Sequence, residues 1–143
     1  TLLVSVVQTV LTLALAALLF RIDLHWHRMP FVFLAAVGGT AGWFFLYSIF
    51  ALSTRRNDIF NTVTSILYFV LLFASNMFYP LEPLPKWFKM AALANPITWQ
   101  VDCFRWGTIG IGSTRQVALE SAGFLLFTVA SFFLAARFLQ QQE

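Results

Sequence analysis

Long apolar stretches, separated by clusters of charged residues, dominate the pattern along the chain. Four stretches, at about 1–20, 29–54, 59–81 and 121–139, contain no charged residue apart from Arg137 near the end of the last. A helix of about 20 apolar residues crosses a hydrocarbon core of about 30 Å, and an arginine can extend its side chain from a helix end to water. Because lipid offers no hydrogen-bond partners to the backbone, a spanning segment must be helical. The pattern therefore predicts four transmembrane helices.

A bundle of buried helices in a soluble protein is the alternative interpretation of these stretches. Such helices keep one polar face toward water, and these four stretches show none. The composition is 59% hydrophobic and 10% charged, whereas soluble domains carry about 25% charged residues. We therefore predict an all-α integral membrane protein.

The remaining charge and cysteine content excludes several classes of function. The net charge is +3 and no run of basic residues occurs, so nucleic-acid binding is not expected. Cys103 is the one cysteine of the sequence, which leaves it without an internal disulfide partner.

Small residues in the second stretch suggest close helix packing. Gly38 and Gly42 are four residues apart, so they share one helix face and allow another backbone to approach. This packing could belong to any multi-span bundle or to a specific contact between subunits, and the sequence leaves both open.

The segment between the third and fourth stretches, from Pro80 to Gln116, is too apolar for an ordinary loop. Pro80, Pro83 and Pro85 are expected to stop the third helix and to keep the chain extended. Pro85 can also occupy the first turn of a short helix at about 85–94. Trp87 lies on its apolar side and two lysines lie on another, which predicts an amphipathic helix in the membrane interface.

A second short helix follows at Asn95-Pro96. Asparagine is a favoured N-cap and proline is favoured at the first helical position, which predicts a helix at about 97–106 that ends at Gly107. It is too short to span, so it either lies at the surface or dips into the membrane and returns. Asp102 and Arg105 are three apart and could pair. Such a pair could act as a gate or relay or simply satisfy an embedded helix.

Metal binding and nucleophilic catalysis find little support. His25 and His27 share one short loop, but a metal site needs three or four convergent ligands, so a role at the membrane interface is the preferred interpretation. A catalytic thiol needs a neighbouring base and a group that orients this base. The sequence gives no sign of such an orienting group for Cys103. The chain also lacks a Walker-type glycine-rich loop for nucleotide phosphates.

The run from Phe78 to Arg105 resembles the signature of type 2 ABC exporter permeases. It reads Phe-Tyr-Pro-Leu-Glu-Pro-Leu-Pro-Lys-Trp and then Ala-Asn-Pro-Ile-Thr-Trp-Gln-Val-Asp-Cys-Phe-Arg. The likeness is greatest to the subgroup of daunorubicin-type drug exporters and nodulation-factor exporters. It covers Phe31 to Gly107 well, including a short basic turn at Leu52–Asn57.

The resemblance implies a permease half with six spans, in which residues 1–143 form one transmembrane domain that corresponds to the third to sixth spans. We then expect two further spans before Thr1. It also implies a second permease half, as a homodimer or heterodimer, and a separate ATP-binding subunit, so the chain itself needs no cofactor and is not an enzyme. The implied function is outward movement of an amphipathic, lipid-like, drug or polysaccharide substrate across the inner or plasma membrane. A multi-span assembly or scaffold subunit without transport activity remains the alternative.

The resemblance also implies an orientation. Arg55, Arg56 and Asp58 would form a cytoplasmic turn, and the segment from Pro80 to Gln116 would lie outside as an extracellular gate. The expected gate residues are Pro80, Pro83, Pro85, Trp87, Asn95, Pro96, Asp102 and Arg105. The positive-inside rule favours the reverse orientation, because more lysines and arginines fall on the outer side. We prefer the family orientation, because earlier spans help to set topology and several of these outer charges sit on helices that could be embedded.

Overall fold

The computed structural model describes residues 2–20, 23–54 and 56–141, and these residues form six α-helices and one short 3-10 helix, with no strand among them. The α-helices are α1 (Leu2–Phe20), α2 (Met29–Ser53), α3 (Asn57–Phe73), α4 (Lys86–Leu93), α5 (Pro96–Ile109) and α6 (Thr114–Gln140), and the 3-10 helix is Trp26–Arg28. The predicted all-helical fold is confirmed. Arg55, predicted in the cytoplasmic turn, lies outside the described residues.

Two helical segments, Trp26–Ser53 and Thr114–Gln140, are long and apolar enough to cross a membrane, while Val7–Leu19 and Asn57–Phe73 are shorter apolar helices. α2 matches the prediction of 29–54 closely. α6 begins before the predicted 121, because the Ser113 side chain caps its first turn by accepting a hydrogen bond from the Gln116 backbone N–H at 3.2 Å.

The predicted third helix, 59–81, is too long at its end, since α3 stops at Phe73. The prolines at 80–85 do not cause the stop. Instead, two side chains donate hydrogen bonds to carbonyl groups in the last turn of the helix. Ser75 Oγ donates to Leu72 O at 2.6 Å, and Asn95 Nδ2 donates to Leu71 O at 2.6 Å. Satisfying these terminal carbonyls allows the helix to end in a buried position.

The predicted end of the second short helix at Gly107 is also wrong. α5 runs through Gly107 to Ile109 and ends at Gly110, whose φ of 75° is left-handed. This is the conformation that favours glycine after a helix. Gly107 lies inside the helix, where a Cβ atom would collide with the Val32 side chain. Its role is therefore close packing rather than termination.

The core lies between α2, α5 and α6, which make the most extensive contacts. Along α2, Gly42 faces Phe124 and Thr128 of α6, and further on the rings of Phe45 and Phe132 meet at 5.1 Å between centroids. The two helices therefore run in the same direction. α1 packs along α2, and α3 contacts α2 only slightly.

Glycines do allow close approach within this core, but not in the predicted pair. A Cβ on Gly42 would lie 2.7 Å from Thr128 Oγ1, and one on Gly39 would collide with the Gln100 side chain. Gly38 has nothing within 4 Å of that position. Within α2, the tight contacts fall on Gly39 and Gly42, whereas the position next to Gly38 is open.

Candidate functional site at the junction of α3, α5 and α6

α5 is inserted deep beside α2. Its Gln100 side chain accepts a hydrogen bond from Trp43 Nε1 at 2.9 Å. Trp43 is fourteen residues beyond Met29, where α2 begins, which places this contact about 21 Å along α2 at the standard helical rise. The other end of α5 lies next to the start of α2, where His25 N donates to Thr108 O at 2.9 Å. α5 therefore runs antiparallel to α2 over about half its length.

Asn95 joins the end of α3 to the start of α5. Its Oδ1 accepts the Ile97 backbone N–H at 2.9 Å, and its Nδ2 donates to Leu71 O at 2.6 Å. The side chain is 4% exposed. The N-cap predicted at Asn95 and the proline predicted in the first turn, Pro96, are both present. One amide thus satisfies a donor of α5 and an acceptor of α3 at the same time.

The segment that follows α3 is fastened along α5 by further hydrogen bonds. The Asn76 N–H donates to Thr98 Oγ1 at 3.3 Å, and Asn76 Nδ2 donates to Asp102 Oδ1 at 2.7 Å. Arg105 Nη2 donates to the carbonyls of Asn76 and Met77 at 3.0 and 3.3 Å. The backbone after α3 is irregular, but α5 supplies its polar partners.

Asp102 is the centre of the network. Its Oδ1 lies 3.6 Å from Arg105 Nη1, so the pair predicted from the spacing is present. Gln116 Nε2 donates to Asp102 Oδ2 at 3.3 Å and to Glu120 Oε1 at 2.9 Å. The network therefore connects the segment after α3 with α5 and α6.

Sequence reasoning missed the roles of Asn76, Gln116 and Glu120. In the sequence, Asn76 is noticeable only as a polar residue in an apolar stretch, and Gln116 only as the end of the segment between the third and fourth stretches. A sharper signal was available at Glu120, which is four residues after Gln116 and immediately before a long apolar run. A charged residue at that place in a membrane helix is a candidate for a functional role, and Glu120 is 7% exposed in the structure.

Two polar atoms of this site remain without a hydrogen-bond partner among the described residues, Asn76 Oδ1 and Glu120 Oε2. Leaving a buried acceptor unpaired costs about 1–3 kcal/mol. Such atoms are rare in native structures and require an explanation. Both atoms belong to residues of the network, which therefore holds two buried acceptors that the described residues do not satisfy.

A cavity of about 470 Å³ lies beside the network. Its polar wall consists of Asn76, Asp102, Arg105 and Gln116, and the Pro80–Glu82 stretch lines another side. The volume falls in the range of about 300–1,000 Å³ that is typical of small-molecule sites. The cavity can thus hold a ligand in contact with the residues that tie the three elements together.

The loop before α2 holds the other end of α5. His25 Nδ1 lies 3.2 Å from Thr108 O, and Arg28 Nη1 donates to Trp106 O at 3.0 Å. The Arg28 guanidinium also lies 4.2 Å from the centroid of the Trp106 ring, a cation–π distance. Basic side chains near a helix C-terminus stabilise its free carbonyls. In this structure His25 therefore supports the end of α5.

The other predicted site residues lie apart from the network. Pro85 caps the start of α4, and Trp87 is 71% exposed on that helix. Pro83 lies in the irregular segment before α4 and does not line the cavity. At the far end of α3, Arg56 and Asp58 form an exposed ion pair at 3.9 Å. Of the predicted gate residues, Pro80, Asp102 and Arg105 line the cavity. Asn95 and Pro96 lie outside its lining, at the start of α5, where Asn95 contacts the end of α3.

Comparison with known families and proteins gives one positive result. Residues 1–109 match the family model described as ABC-2 type transporter, and no curated protein or solved structure matches significantly. ABC-2 domains are permease domains that lie in the bilayer, work with ATP-binding subunits and have no catalytic activity themselves. The matched range covers most of the 143 residues and includes the first five helices. The chain therefore belongs to the ABC-2 type transporter family.

Proposed function

We propose that this permease subunit moves an amphipathic, lipid-like, drug or polysaccharide substrate outward across the plasma or inner membrane. A separate ATP-binding subunit drives the movement, and a second permease half completes the path. α1, α2, α3 and α6 are the four spans, and α4 with α5 is a re-entrant pair that serves as the outer gate. The observation that carries this proposal is the insertion of α5 to about half the length of α2.

The length of α3 supports the re-entrant layout. α3 has 17 residues, fewer than the about 20 that a full crossing requires. The chain after Phe73 then continues at membrane depth without helical structure. Irregular backbone is tolerated there only where protein satisfies its polar groups. Asn95, Thr98 and Arg105 supply such partners.

The arrangement puts the Arg56–Asp58 turn and the cavity at opposite ends of α3, and the family resemblance supports the following orientation. The Arg56–Asp58 turn is cytoplasmic, where it can face the ATP-binding subunit, and the cavity opens on the outer side. An epitope tag at the C-terminus, where α6 ends, tests this arrangement in intact cells. The proposal expects the tag to be protected until the membrane is permeabilised, and labelling of intact cells would refute it.

The gate is tested by changing Asn95-Pro96 to Ala-Ala in the full-length protein, reconstituted with its ATP-binding subunit in liposomes. This change removes the Asn95 side chain that links α3 to α5. ATP-driven export should therefore be lost, while expression and binding of the ATP-binding subunit persist. Asn61→Ala is the control, since Asn61 is exposed on α3 and belongs neither to the gate nor to the network, and it should retain export. Unchanged export by the Ala-Ala variant would overturn the gate. Absence of ATP-dependent transport in the wild-type complex would favour a scaffold subunit instead.

A further inference from the structure

We infer that Glu120 and Asp102 form a proton-binding site, in which Glu120 holds one proton and Asp102 stays ionised. This site goes beyond the proposed export function and does not depend on it. Three observations carry the inference: the burial of the Glu120 carboxyl group, its lack of a positive partner among the described residues, and the closeness of a second carboxylate. A proton adds to a carboxylate oxygen itself, so this ligand needs no cavity.

The Glu120 carboxyl group is buried and only half satisfied. Glu120 is 7% exposed, and its Oε1 accepts a hydrogen bond from Gln116 Nε2 at 2.9 Å. Its Oε2 is buried and has no hydrogen-bond partner in the part of the chain that the structure describes. An ionised carboxylate in such surroundings loses its hydration without compensation, whereas the protonated form carries no charge. The burial therefore favours a proton on Glu120.

The carboxylate of Asp102, on α5, lies close to Glu120. Gln116 Nε2 is 3.3 Å from Asp102 Oδ2 and 2.9 Å from Glu120 Oε1. Because both oxygens contact one nitrogen, they are at most about 6 Å apart, which is within the range at which one charge affects the ionisation of another. Two carboxylates that share a site disfavour double ionisation, so one of them keeps its proton.

The other contacts of the two carboxyl groups assign the proton to Glu120. Asp102 Oδ1 lies 3.6 Å from Arg105 Nη1 and accepts a hydrogen bond from Asn76 Nδ2 at 2.7 Å. Among the described residues, Glu120 has neither a positive neighbour at this distance nor a donor to its second oxygen. Positive charge and hydrogen bonds stabilise an ionised carboxylate, so the negative charge of the pair belongs to Asp102.

Neighbouring groups on α5 and α6 do not compensate a charge on Glu120. Arg115 lines the same surface opening as Glu120, but residues five apart on a helix do not face each other as those three or four apart do. No ion pair joins these two side chains within the described ranges. Cys103 lies nearby on α5, where its Sγ is 3.3 Å from Ser121 Oγ, and it supplies no positive charge.

The charged groups of the remaining elements do not compensate the buried carboxyl group either. α2, which packs against α6, contains no charged residue. Of the two lysines of α4, Lys86 is exposed and Lys89 donates to the Glu82 carbonyl at 2.7 Å. Glu82 lines the cavity beside Asp102 and adds a negative charge, while Arg28 donates to a carbonyl near the far end of α5. These surroundings leave a proton as the group that neutralises the buried carboxyl.

The proton stabilises the contact between α5 and α6, because its release leaves two negative charges on either side of Gln116. In the unfolded chain Glu120 is hydrated and has lost its proton at neutral pH, so the folded state binds one proton more. Stability must then fall as the pH rises, by up to tenfold in the folding equilibrium constant per pH unit, until the folded protein releases the proton as well.

Infrared spectroscopy of the full-length protein, in a detergent without carbonyl groups, tests the site. A protonated carboxyl group has a carbonyl stretching band that an ionised one lacks. At pH 7 the wild-type protein should show this band, Glu120→Gln should lose it, and Asp23→Asn, which removes an exposed acid, should retain it. Absence of the band from wild type, or an unchanged band in Glu120→Gln, would overturn the inference.

Titration of the same band tests the pairing. Asp102→Asn removes the neighbouring negative charge and should release the Glu120 proton at a pH about one unit lower than in wild type. The midpoint of Asp23→Asn should not move. An unchanged midpoint in Asp102→Asn would overturn the pair.

Equilibrium unfolding at neutral and alkaline pH tests the effect on the helix contact. Wild-type protein should lose stability as the pH rises. Glu120→Gln should lose less, because glutamine is uncharged at every pH and keeps an acceptor for Gln116. The same loss in both proteins would refute the role of the proton between α5 and α6, and the wild-type infrared band decides the protonation state even where a variant misfolds.

Discussion

The double role of Asn95 gives the sharpest test of the site. Asn95→Ser keeps an N-cap for α5, because serine is also a favoured cap, but its shorter side chain cannot reach Leu71 O. Asn95→Ala removes both interactions. Loss of a cap costs about 1 kcal/mol, and a hydrogen bond within a membrane contributes about 0.6 to 1.7 kcal/mol. We therefore expect a loss of about 1 kcal/mol for serine and about 2 kcal/mol for alanine.

The measurement is equilibrium unfolding of the full-length protein in mixed micelles of a mild detergent and dodecyl sulfate, with ATP-driven export measured in parallel. Asn61→Ser is the matched control, because Asn61 is exposed on α3 and asparagine and serine have similar helix propensities. If Asn95→Ser were as stable as wild type, the bond to Leu71 would contribute nothing. If serine and alanine gave the same loss, the cap would contribute nothing, and the double role would be refuted.

Two further predictions concern the packing of α5. Gly39→Ala should destabilise the protein, because the new methyl group displaces the Gln100 amide from its hydrogen bond with Trp43. Gly38→Ala should be neutral or stabilising by up to about 1 kcal/mol from helix propensity; unfolding measurements on both variants check this, and equal losses would contradict it. The Cys103 side chain is 4% exposed, and its Sγ lies 3.3 Å from Ser121 Oγ of α6. Because buried cysteines are inert toward reagents in solution, Cys103 should react slowly with maleimide at pH 7, while Ser113→Cys in a Cys103→Ser background should react quickly; rapid labelling of the folded wild-type protein would contradict the assigned burial.

How much of the fold could be predicted depended on whether the signal was local. α2 could be predicted because a long uncharged run has one interpretation in lipid, and the start of α5 could be predicted because Asn95-Pro96 combines two local preferences for a helix start. The end of α3 could not. Its signal lies in Asn95, twenty-four residues beyond the carbonyl that it caps, and hydropathy cannot detect such a contact.

The glycines show the same limit. Gly107 and Gly110 are both compatible with a helix end by residue type alone. The structure distinguishes them, because the close approach of Val32 requires a glycine at 107 inside the helix, whereas the left-handed φ of Gly110 marks the end of the helix. The same limit applies to the candidate site. The pair of Asp102 and Arg105 could be predicted from their local spacing, but the contact of Gln116 with the network depends on the packing of α6 and could not.

The hydrogen bonds at the two ends of α5 follow from one physical requirement. A helix leaves N–H groups without partners at its start and carbonyl groups without partners at its end, and lipid cannot supply either. At the start of α5, Asn95 takes the Ile97 N–H while also holding α3. At the end, His25 and Arg28 supply donors to the last carbonyls. Movement of α5 on its own would expose these groups, so the outer gate that we propose must move together with the end of α3 and the loop before α2.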